Sequence, residues 1–341
     1  MSKVLVTGGC GYIGSHTIVD LIVKGYHPVS VDNLANSSDD VLNSIEKITE
    51  KKIRNYKVDL RHAGVLKKVF EENQDIIGII HFAALKNVGE SVEHPLRYYD
   101  NNILGLVHLL QCQKENQILF FIFSSSCAVY GNADRQPVSE ATPLKRAESP
   151  YARTKQICED IIADFAKTFP GCRNIILRYF NPAGAHDSIL IGESPKNVSN
   201  NLVPVITETA IGKREALTVF GNDYPTRDGT CVRDFIHIMD LAEAHTMGIS
   251  YLEKNPQGPP IEILNLGTGT GVTVMETIHA FIDVAGVHLN YKVGPRRSGD
   301  VVSVYADYQK ASRLLGWKPK RNIEDIMSSA WAWEKARSKV N

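Results

Sequence analysis

The sequence predicts an α/β fold: a doubly wound parallel sheet with helices on both faces, followed by a smaller C-terminal α/β domain. Three observations predict it. Short runs of apolar, largely β-branched residues alternate with longer amphipathic segments through the first half of the chain. A glycine-rich turn follows the first run directly, where a strand would lead into a helix. At 341 residues the chain also exceeds the length at which one hydrophobic core usually stops growing, so we expect two domains.

The predicted strands of the first half are rich in apolar residues. They are VLVT (4–7), PVSVD (28–32), NYKVD (55–59), IIGIIHF (76–82), ILFFIFS (118–124) and NIILRYF (174–180). Several have apolar residues at nearly every position, which is typical of parallel strands covered on both faces. Segments between them, such as 65–70 and 103–110, have the apolar spacing of helices.

The alternation of strands and helices ends after about residue 180. We therefore predict one domain over 1–180 and a second, substrate-binding domain over 181–341. Residues 181–235 are rich in Gly, Pro and Asn and predict loops joined by one helix near 203–213. A helix near 240–253 and the run IEILNLG (261–267) predict that the chain returns to the first sheet around 237–267.

Composition and charge exclude several classes of protein. The 38 basic and 38 acidic residues balance without long blocks of either sign, so we expect no nucleic-acid or membrane partner and a small-molecule ligand instead. No apolar run approaches the roughly 18 residues of a membrane span, and no signal sequence precedes the first strand. The six cysteines are scattered without zinc-ligand spacing. We expect a cytoplasmic protein without a metal site.

The glycine-rich turn predicts a dinucleotide site. In VLVTGGCGYIGSH, Gly8 permits the tight turn, Gly11 lets backbone N–H groups approach a pyrophosphate, and Gly14 lets the helix pack against the sheet. Such a turn alone often serves only chain reversal. Here, however, the second predicted strand ends in Asp32, at the distance where an acid binds the adenine ribose. A Rossmann sheet that binds NAD is favoured, because Asp32 would repel the additional phosphate of NADP.

Two further strand ends carry weaker indications. Asp59 ends the third predicted strand and is a candidate for contacting adenine, although solvation or helix capping explains a single aspartate nearly as well. HFAALK follows the fourth strand, where small residues would allow a cofactor close to the backbone. Its Lys86, taken alone, is more often a surface lysine.

The motif SPYARTK (149–155) supplies a candidate catalytic pair. A helix that starts after Pro150 would bring Tyr151 and Lys155, at i and i+4, to one face. A chain of this composition yields about one such match by chance, so the spacing alone proves nothing. The motif follows the fifth strand, however, whose carboxyl end faces the expected cofactor crevice. Its position therefore favours catalysis over a half-buried tyrosine beside a solvated lysine.

The chemistry explains why these residue types would be useful. Oxidation of a secondary alcohol by NAD+ requires a base, and tyrosine has an ordinary pKa of about 10. Lowering it to neutrality requires roughly 4 kcal/mol, for which the Lys155 ammonium and the nicotinamide charge are available. Ser126 in FSSSCAVYG could hold the substrate oxygen in either oxidation state, whereas Ser124 and Ser125 more plausibly bond to backbone.

With these residues assembled, the chain resembles the extended short-chain dehydrogenase/reductases, and within them the enzymes that epimerise UDP-hexoses at C4. The resemblance covers about residues 3–335. It is carried by TGGCGYIGSH, HFAALKNVGESVEHPLRYYDNN, FSSSCAVYG, SPYARTK, LRYFNPAGAH, NNLVP, FGNDYPTRDGTCVRDFIHIMDLA and RRSGD. It implies that NAD stays bound, that Tyr151 deprotonates the 4-hydroxyl with Lys155 and Ser126, and that the 4-keto sugar rotates before the hydride returns.

The resemblance also implies which residues form the site, and a homodimer built on helices near 93–116 and 150–168. Residues expected to line NAD are Gly8, Gly11, Tyr12, Ile13, Gly14, Asp32, Asn33, Leu34, Asn36, Ser37, Asp59, Leu60, Phe82, Ala83, Ala84, Lys86, Asn101, Ser124, Tyr151, Lys155, Tyr179 and Phe180. Residues expected to hold the UDP-sugar are Lys86, Ser126, Tyr151, Asn181, Asn201, Leu202, Thr218, Val219, Phe220, Arg233, Arg297, Asp300 and Val304. Two arginines suit a diphosphate.

Val304 bears on substrate range. In the family, a tyrosine at this position excludes N-acetylated sugars, whereas a small residue admits them. Val304 therefore predicts UDP-GlcNAc/UDP-GalNAc interconversion besides that of UDP-glucose and UDP-galactose, unless the valine only packs in the core. Three other functions remain open. A plain alcohol dehydrogenase, which would exchange its cofactor, is disfavoured only by the family resemblance. A 4,6-dehydratase is disfavoured because Cys127 and Ala128, which follow Ser126, carry no carboxylate. An NAD-binding sensor without catalysis is disfavoured by the retention of Tyr151.

Overall fold

The fold is built on a seven-stranded parallel sheet. The computed structural model describes residues 2–196, 199–297 and 299–339. The strands are β1 (Lys3–Thr7), β2 (His27–Val31), β3 (Asn55–Tyr56), β4 (Ile76–His81), β5 (Phe120–Ser126), β6 (Arg173–Tyr179), β7 (Asn181–Ala183), β8 (Leu217–Phe220), β9 (Val232–Arg233), β10 (Phe235–His237), β11 (Ile261–Leu266), β12 (Val272–Thr273), β13 (Tyr291–Gly294) and β14 (Ser303–Val304). The sheet has the order β11-β6-β5-β4-β1-β2-β3, so the predicted fold class is confirmed.

Helices cover both faces of this sheet. They are α1 (Tyr12–Val23), α2 (Val41–Thr49), α3 (Ala63–Glu71), α4 (Val88–Glu93), α5 (Pro95–Tyr99), α6 (Gly105–Glu115), α7 (Pro150–Thr168), α8 (Leu202–Ala210), α9 (Ile238–Lys254), α10 (Val274–Ala285), α11 (Gln309–Leu315) and α12 (Ile323–Lys339). A π-helical segment, Asp100–Leu104, joins α5 to α6, and a 3₁₀ helix, Cys127–Tyr130, follows β5.

The pleat of the strands divides the apolar residues between two cores. In β1, Val4 and Val6 pack with α1, α2, α9 and α11, whereas Leu5 packs with α3, α6 and α7. Fully buried side chains such as Ile18 on the first face and Leu66 on the second complete the two layers. Strands buried on both faces explain why the runs in the sequence are so uniformly apolar.

The second half of the chain builds a separate core from α8, α10, α12 and β8. Ile206, Phe281 and Met327 are fully buried there. β11 returns to the large sheet and pairs with β6 in parallel. The division into two domains at residue 180 stays a prediction.

Two expectations about local structure were wrong. Residues 181–235 contain β7, β8 and β9 besides the predicted helix, because strands of two to four residues are too short to show a pattern of alternation. The third strand ends at Tyr56 and not at Asp59, since the Val58 N–H donates to the Tyr56 carbonyl and turns the chain. Asp59 therefore lies in a loop.

Candidate functional site

The candidate site lies at the carboxyl edge of the sheet. Because β1, β2, β4, β5 and β6 are parallel, their carboxyl ends meet at one edge. Gly8 follows β1, Asp32 follows β2, Phe82 follows β4, Ser126 ends β5, and Phe180 follows β6. The topology thus brings together residues that are far apart in the sequence.

The glycine loop is shaped by close backbone contacts. Gly8 has a φ of +70°, and its N–H donates to the Val31 carbonyl at 2.7 Å. A Cβ atom at Gly14 would lie 2.2 Å from the Gly8 carbonyl oxygen, so only glycine lets α1 pack this closely. Within the described chain, no side chain caps α1 at Gly11. The N–H groups of Tyr12 and Ile13 therefore begin α1 with the orientation of an anion-binding helix N-terminus.

Asp32 fixes the loop that follows β2. Its carboxylate accepts hydrogen bonds from the Leu34 N–H at 2.8 Å and the Ser37 hydroxyl at 2.9 Å, and from the Cys10 N–H at 3.1 Å. The carboxylate is buried, and Cys10 belongs to the glycine loop. The Asp32 carboxylate therefore lies next to the glycine loop that leads into α1. A carboxylate for the ribose hydroxyls beside helix N–H groups for the phosphates fits a dinucleotide.

Asp59 has a partner that the sequence did not reveal. The Arg61 guanidinium donates to the Asp59 carboxylate at 2.8 and 3.0 Å, and the Asn33 amide donates to it at 3.2 Å. These hydrogen bonds, above all those from Arg61, hold the pKa of Asp59 well below its usual range. Leu60 is buried beneath Gly105. Contact of Asp59 with adenine stays a prediction, and the structure shows it first as an ion-paired carboxylate.

The segment after β4 is held by a residue that was not predicted. Asn102 accepts from the Leu85 N–H at 2.8 Å, donates to the Leu85 carbonyl at 3.0 Å and donates to the Thr154 hydroxyl at 3.1 Å. The amide of Asn101 also donates to it, at 3.0 Å. A Cβ at Gly8 would lie 2.9 Å from the Ala83 nitrogen, so this segment passes close to the glycine loop. Ala84 lies in the same segment.

Lys86 joins the cofactor edge to the second half of the chain. Its ammonium lies 3.3 Å from the Glu193 carboxylate, which also accepts from the Asn201 amide at 2.7 Å. The Trp333 indole donates to the Glu193 carbonyl at 3.0 Å. Sequence reasoning missed Glu193, because nothing in its local sequence distinguishes it from a solvated glutamate. Lys86 is therefore ion-paired in this structure.

Tyr151 and Lys155 lie on α7, which begins as predicted. The Ser149 hydroxyl caps the helix by accepting from the Ala152 N–H at 3.2 Å, and Pro150 is the first helical residue. The Lys155 ammonium donates to the Ser124 carbonyl at 2.6 Å. The Ser126 side chain lies close enough to the Tyr151 phenol to lower its pKa. The catalytic residues proposed from sequence are thus brought together at the end of β5.

The electrostatics of this group differ from the expectation. Burial raises the pKa of Tyr151 to about 12, against the lowering effect of the nearby Ser126 side chain. Burial also lowers the pKa of Lys155 to about 8. Of the groups around the phenol, Ser126 lowers its pKa most, whereas the Lys155 ammonium donates to the Ser124 carbonyl.

The remaining predicted residues form the opposite wall. The Tyr179 hydroxyl hydrogen-bonds His245, and Phe180 is buried beside Val304. Arg233 and Arg297 both contact Asp300, at 3.4 and 2.8 Å respectively. Asn181 starts β7, Leu202 starts α8, and Thr218, Val219 and Phe220 lie in β8, where the Arg297 guanidinium is 5.4 Å from the centre of the Phe220 ring.

A dinucleotide-type edge beside a partly buried Tyr and Ser and a buried Lys defines a Rossmann-fold enzyme of the extended short-chain dehydrogenase/reductase class. A family model described as GDP-mannose 4,6 dehydratase matches residues 5–330. The UDP-glucose 4-epimerase of Dictyostelium discoideum is 47% identical over 97% of this chain and 95% of its own length. That of Schizosaccharomyces pombe is 48% identical over 97% and 93%.

A solved structure agrees with these relatives. The UDP-glucose 4-epimerase from Bifidobacterium longum, in complex with NAD+ and UDP, superposes with a TM-score of 0.95 at 42% identity, over 98% of this chain and 99% of that one. The chain belongs to the UDP-glucose 4-epimerase family. The resemblance inferred from the motifs is thereby confirmed. In the part of the chain that the structure describes, no helix combines the length and apolar character needed to span a membrane.

Proposed function

We propose that this enzyme interconverts UDP-glucose and UDP-galactose, with NAD as its resident cofactor. The observation that carries the proposal is the arrangement at the end of β5, where Ser126 lies close to Tyr151 and the Ser124 carbonyl accepts from Lys155, at the same edge of the sheet as the glycine loop. NAD, when bound, would accept the C4 hydride and return it to the other face of the sugar. The net redox change is zero, so one cofactor would serve every turnover.

The chain's own residues would move the proton and hold the sugar. Tyr151 takes the proton of the 4-hydroxyl, and the same phenol returns it when the alcohol is restored. Ser126 donates to or accepts from the substrate oxygen in either state. Bringing the Tyr151 pKa from about 12 to neutrality requires about 7 kcal/mol of preferential stabilisation of the phenolate. The buried ammonium of Lys155 would contribute to this.

Arg233 and Arg297 are the groups best suited to the diphosphate. Both guanidinium groups contact Asp300, and Arg233 also donates to the Val301 carbonyl at 2.8 Å. A guanidinium that is fixed by such contacts binds phosphate oxygens with little loss of side-chain entropy. Asn201, beside Glu193, would bind the sugar nucleotide from the other wall.

The test is to incubate purified protein with UDP-galactose and no added NAD, and to assay UDP-glucose. Conversion is expected, because the cofactor stays bound. A product lighter by one water would indicate 4,6-dehydration, and no conversion with NAD still bound would indicate a sensor. Tyr151→Phe should keep its NAD and lose most turnover. Tyr26→Phe is the matched control, because it removes a hydroxyl that bonds Glu253 at a distant surface.

We further propose that the enzyme accepts UDP-GlcNAc and UDP-GalNAc. Val304 supports this, because a valine leaves more room than a tyrosine would. Val304 is also 4% exposed and packs with Phe180 and Tyr130, as a core valine would. Turnover of UDP-GlcNAc by the wild type, and its loss in Val304→Tyr with UDP-glucose turnover retained, would support the proposal. Absence of turnover in the wild type would refute it.

We also infer that two copies associate through α6 and α7. These helices form an apolar groove of about 460 Å³, lined by Val107, Leu110, Gln111, Lys114, Glu115, Ile161 and Phe165. Leu104, just before α6, is also exposed. A dimer mass in light scattering that changes to a monomer mass in Leu104→Glu would support this association, because Leu104 is exposed and its replacement leaves the core intact. Six unpaired cysteines favour the cytoplasm, which cell fractionation tests.

A further inference from the structure

A third residue shares the helix face of Tyr151 and Lys155. Glu159 lies one further turn along α7, so the three side chains stand at i, i+4 and i+8. Glu159 is 6% exposed. A buried carboxylate this close to a reacting group requires explanation, because burial of a charge is costly without partners.

Each of these three residues faces one serine at the end of β5. Tyr151 lies close to Ser126, Lys155 donates to the Ser124 carbonyl, and the Ser125 hydroxyl donates to the Glu159 carboxylate. Three turns of α7 are therefore each tied to one of the three serines that end β5. Of the three helix residues, Glu159 lies farthest along α7 from Tyr151.

Arg178 of β6 holds Glu159 from the other side. Its guanidinium donates to the two carboxylate oxygens at 2.6 Å and 3.1 Å, a bidentate pair. Arg178 also donates to the Tyr130 hydroxyl at 3.0 Å, which in turn donates to Asn265 of β11 at 2.7 Å. Glu159 is thus fixed in one orientation by β5 and β6 together.

Glu159 is also the acidic side chain that acts on the buried ammonium of Lys155. Burial lowers the pKa of Lys155, whereas Cys158 and Glu159 on α7 raise it. The centre of the Phe123 ring of β5 lies 4.8 Å from the ammonium. Burial lowers the pKa of His81 of β4, and the positive charge of Lys155 lowers it further. Arg178 of β6 brings a positive charge to Glu159, with which it forms a buried ion pair.

We propose that Glu159 is a positioning residue for the reaction: through Ser125 and Arg178 it keeps the end of β5 in register with α7, and its negative charge faces the ammonium of Lys155 one helical turn away. The inference rests on the proposed epimerase function. It assigns Glu159 no contact with substrate, since the residue acts through Lys155 and the strand end.

The experiment measures kcat for UDP-galactose conversion from pH 6 to 10 in wild type, Glu159→Gln, Arg178→Gln and the double variant. Glutamine retains an oxygen that can accept from Ser125, so Glu159→Gln removes chiefly the charge. Both single variants break the same buried pair and should lower Tm alike. Only variants without the Glu159 charge should move the alkaline limb of the profile, by about 1 pH unit toward acid. Above that limb their activity should fall about tenfold.

Arg178→Gln is the control for a merely structural role, and its alkaline limb should stay at or above the wild-type position. The double variant removes both charges and so keeps the test available where Glu159→Gln alone fails to fold. An alkaline limb of the kcat profile that lies at the wild-type pH in all three variants would overturn the inference while leaving wild-type epimerisation intact. A wild type that converts no UDP-galactose would instead overturn the proposed function, and this inference with it.

Discussion

Gly14→Ala is the sharpest perturbation of the cofactor edge, because it adds one methyl group where the structure has no space. The added Cβ would lie 2.2 Å from the Gly8 carbonyl oxygen, 2.8 Å from the Gly9 Cα and 2.9 Å from the Gly8 carbonyl carbon. All three atoms are backbone, so no side-chain rotation relieves the contact. Either α1 or the glycine loop must move by about 1 Å to restore an ordinary contact distance.

The magnitude follows from the geometry. Overpacking of a rigid site costs about 1–3 kcal/mol. Gly8 and Gly11 belong to the loop whose N–H groups are proposed to hold the pyrophosphate, so the displacement acts on NAD binding directly. A loss of about 3 kcal/mol weakens binding on the order of 100-fold. NAD that stays with the wild type through purification should therefore be lost from Gly14→Ala.

The assay is the NAD content of the purified protein, released by denaturation and quantified by chromatography, together with Tm. Gly64→Ala is the matched control. Gly64 also lies near the start of a helix, α3, but nothing lies within 4 Å of an added Cβ there. That substitution should keep NAD and stabilise the protein by about 0.5–1 kcal/mol. Wild-type NAD content in Gly14→Ala would refute the argument.

Three further changes have expected outcomes elsewhere in the fold. Thr273→Ala removes the capping box with Glu276 at the start of α10 and should lower the free energy of unfolding by about 1 kcal/mol in urea titrations. Trp317→Ala empties a fully buried site whose indole donates to the Asp240 carbonyl, so we expect a loss of about 4 kcal/mol and a lower Tm. Asp59→Asn removes a carboxylate whose pKa is depressed by Arg61; its stabilisation is fully present above about pH 4 and is lost progressively as pH falls toward the depressed pKa, so the advantage of wild type over the variant in denaturant titrations should begin to shrink below about pH 4.

The large sheet could be predicted from sequence because burial on both faces leaves a strong local signal. β4 and β6 were placed within one residue of their ends, since their runs are apolar at nearly every position. β7 and β9 could not be predicted, because their two or three residues gain their strand geometry from pairing with β10 and with β12 and β14. Such pairing depends on the tertiary fold and leaves no periodicity in the sequence.

The site divides in the same way. The glycine loop, Asp32 and the Tyr151–Lys155 pair have fixed local spacings that chemistry dictates, so motifs reveal them. Glu193 and Asn102 hold Lys86 and the segment after β4 through contacts with residues distant in the chain. The roles of Glu193 and Asn102 depend on which elements pack together at the carboxyl edge of the sheet. The local sequence around a single glutamate or asparagine does not predict that packing.

Burial shifts the pKa of Tyr151 in the direction opposite to the one predicted from the sequence. The spacing of Tyr151 and Lys155 predicts that a lysine one turn away lowers the pKa of the phenol, yet burial raises that pKa to about 12 and lowers that of Lys155 to about 8. The same dry environment that opposes phenolate formation also strengthens each charge interaction within it. In the proposed mechanism, activation of the tyrosine as a base therefore requires Ser126, the Lys155 ammonium and the carboxylate of Glu159 to act together. The spacing of Tyr151 and Lys155 identifies the two residues but not the groups that would stabilise the phenolate, because those groups are brought to the site only by the fold.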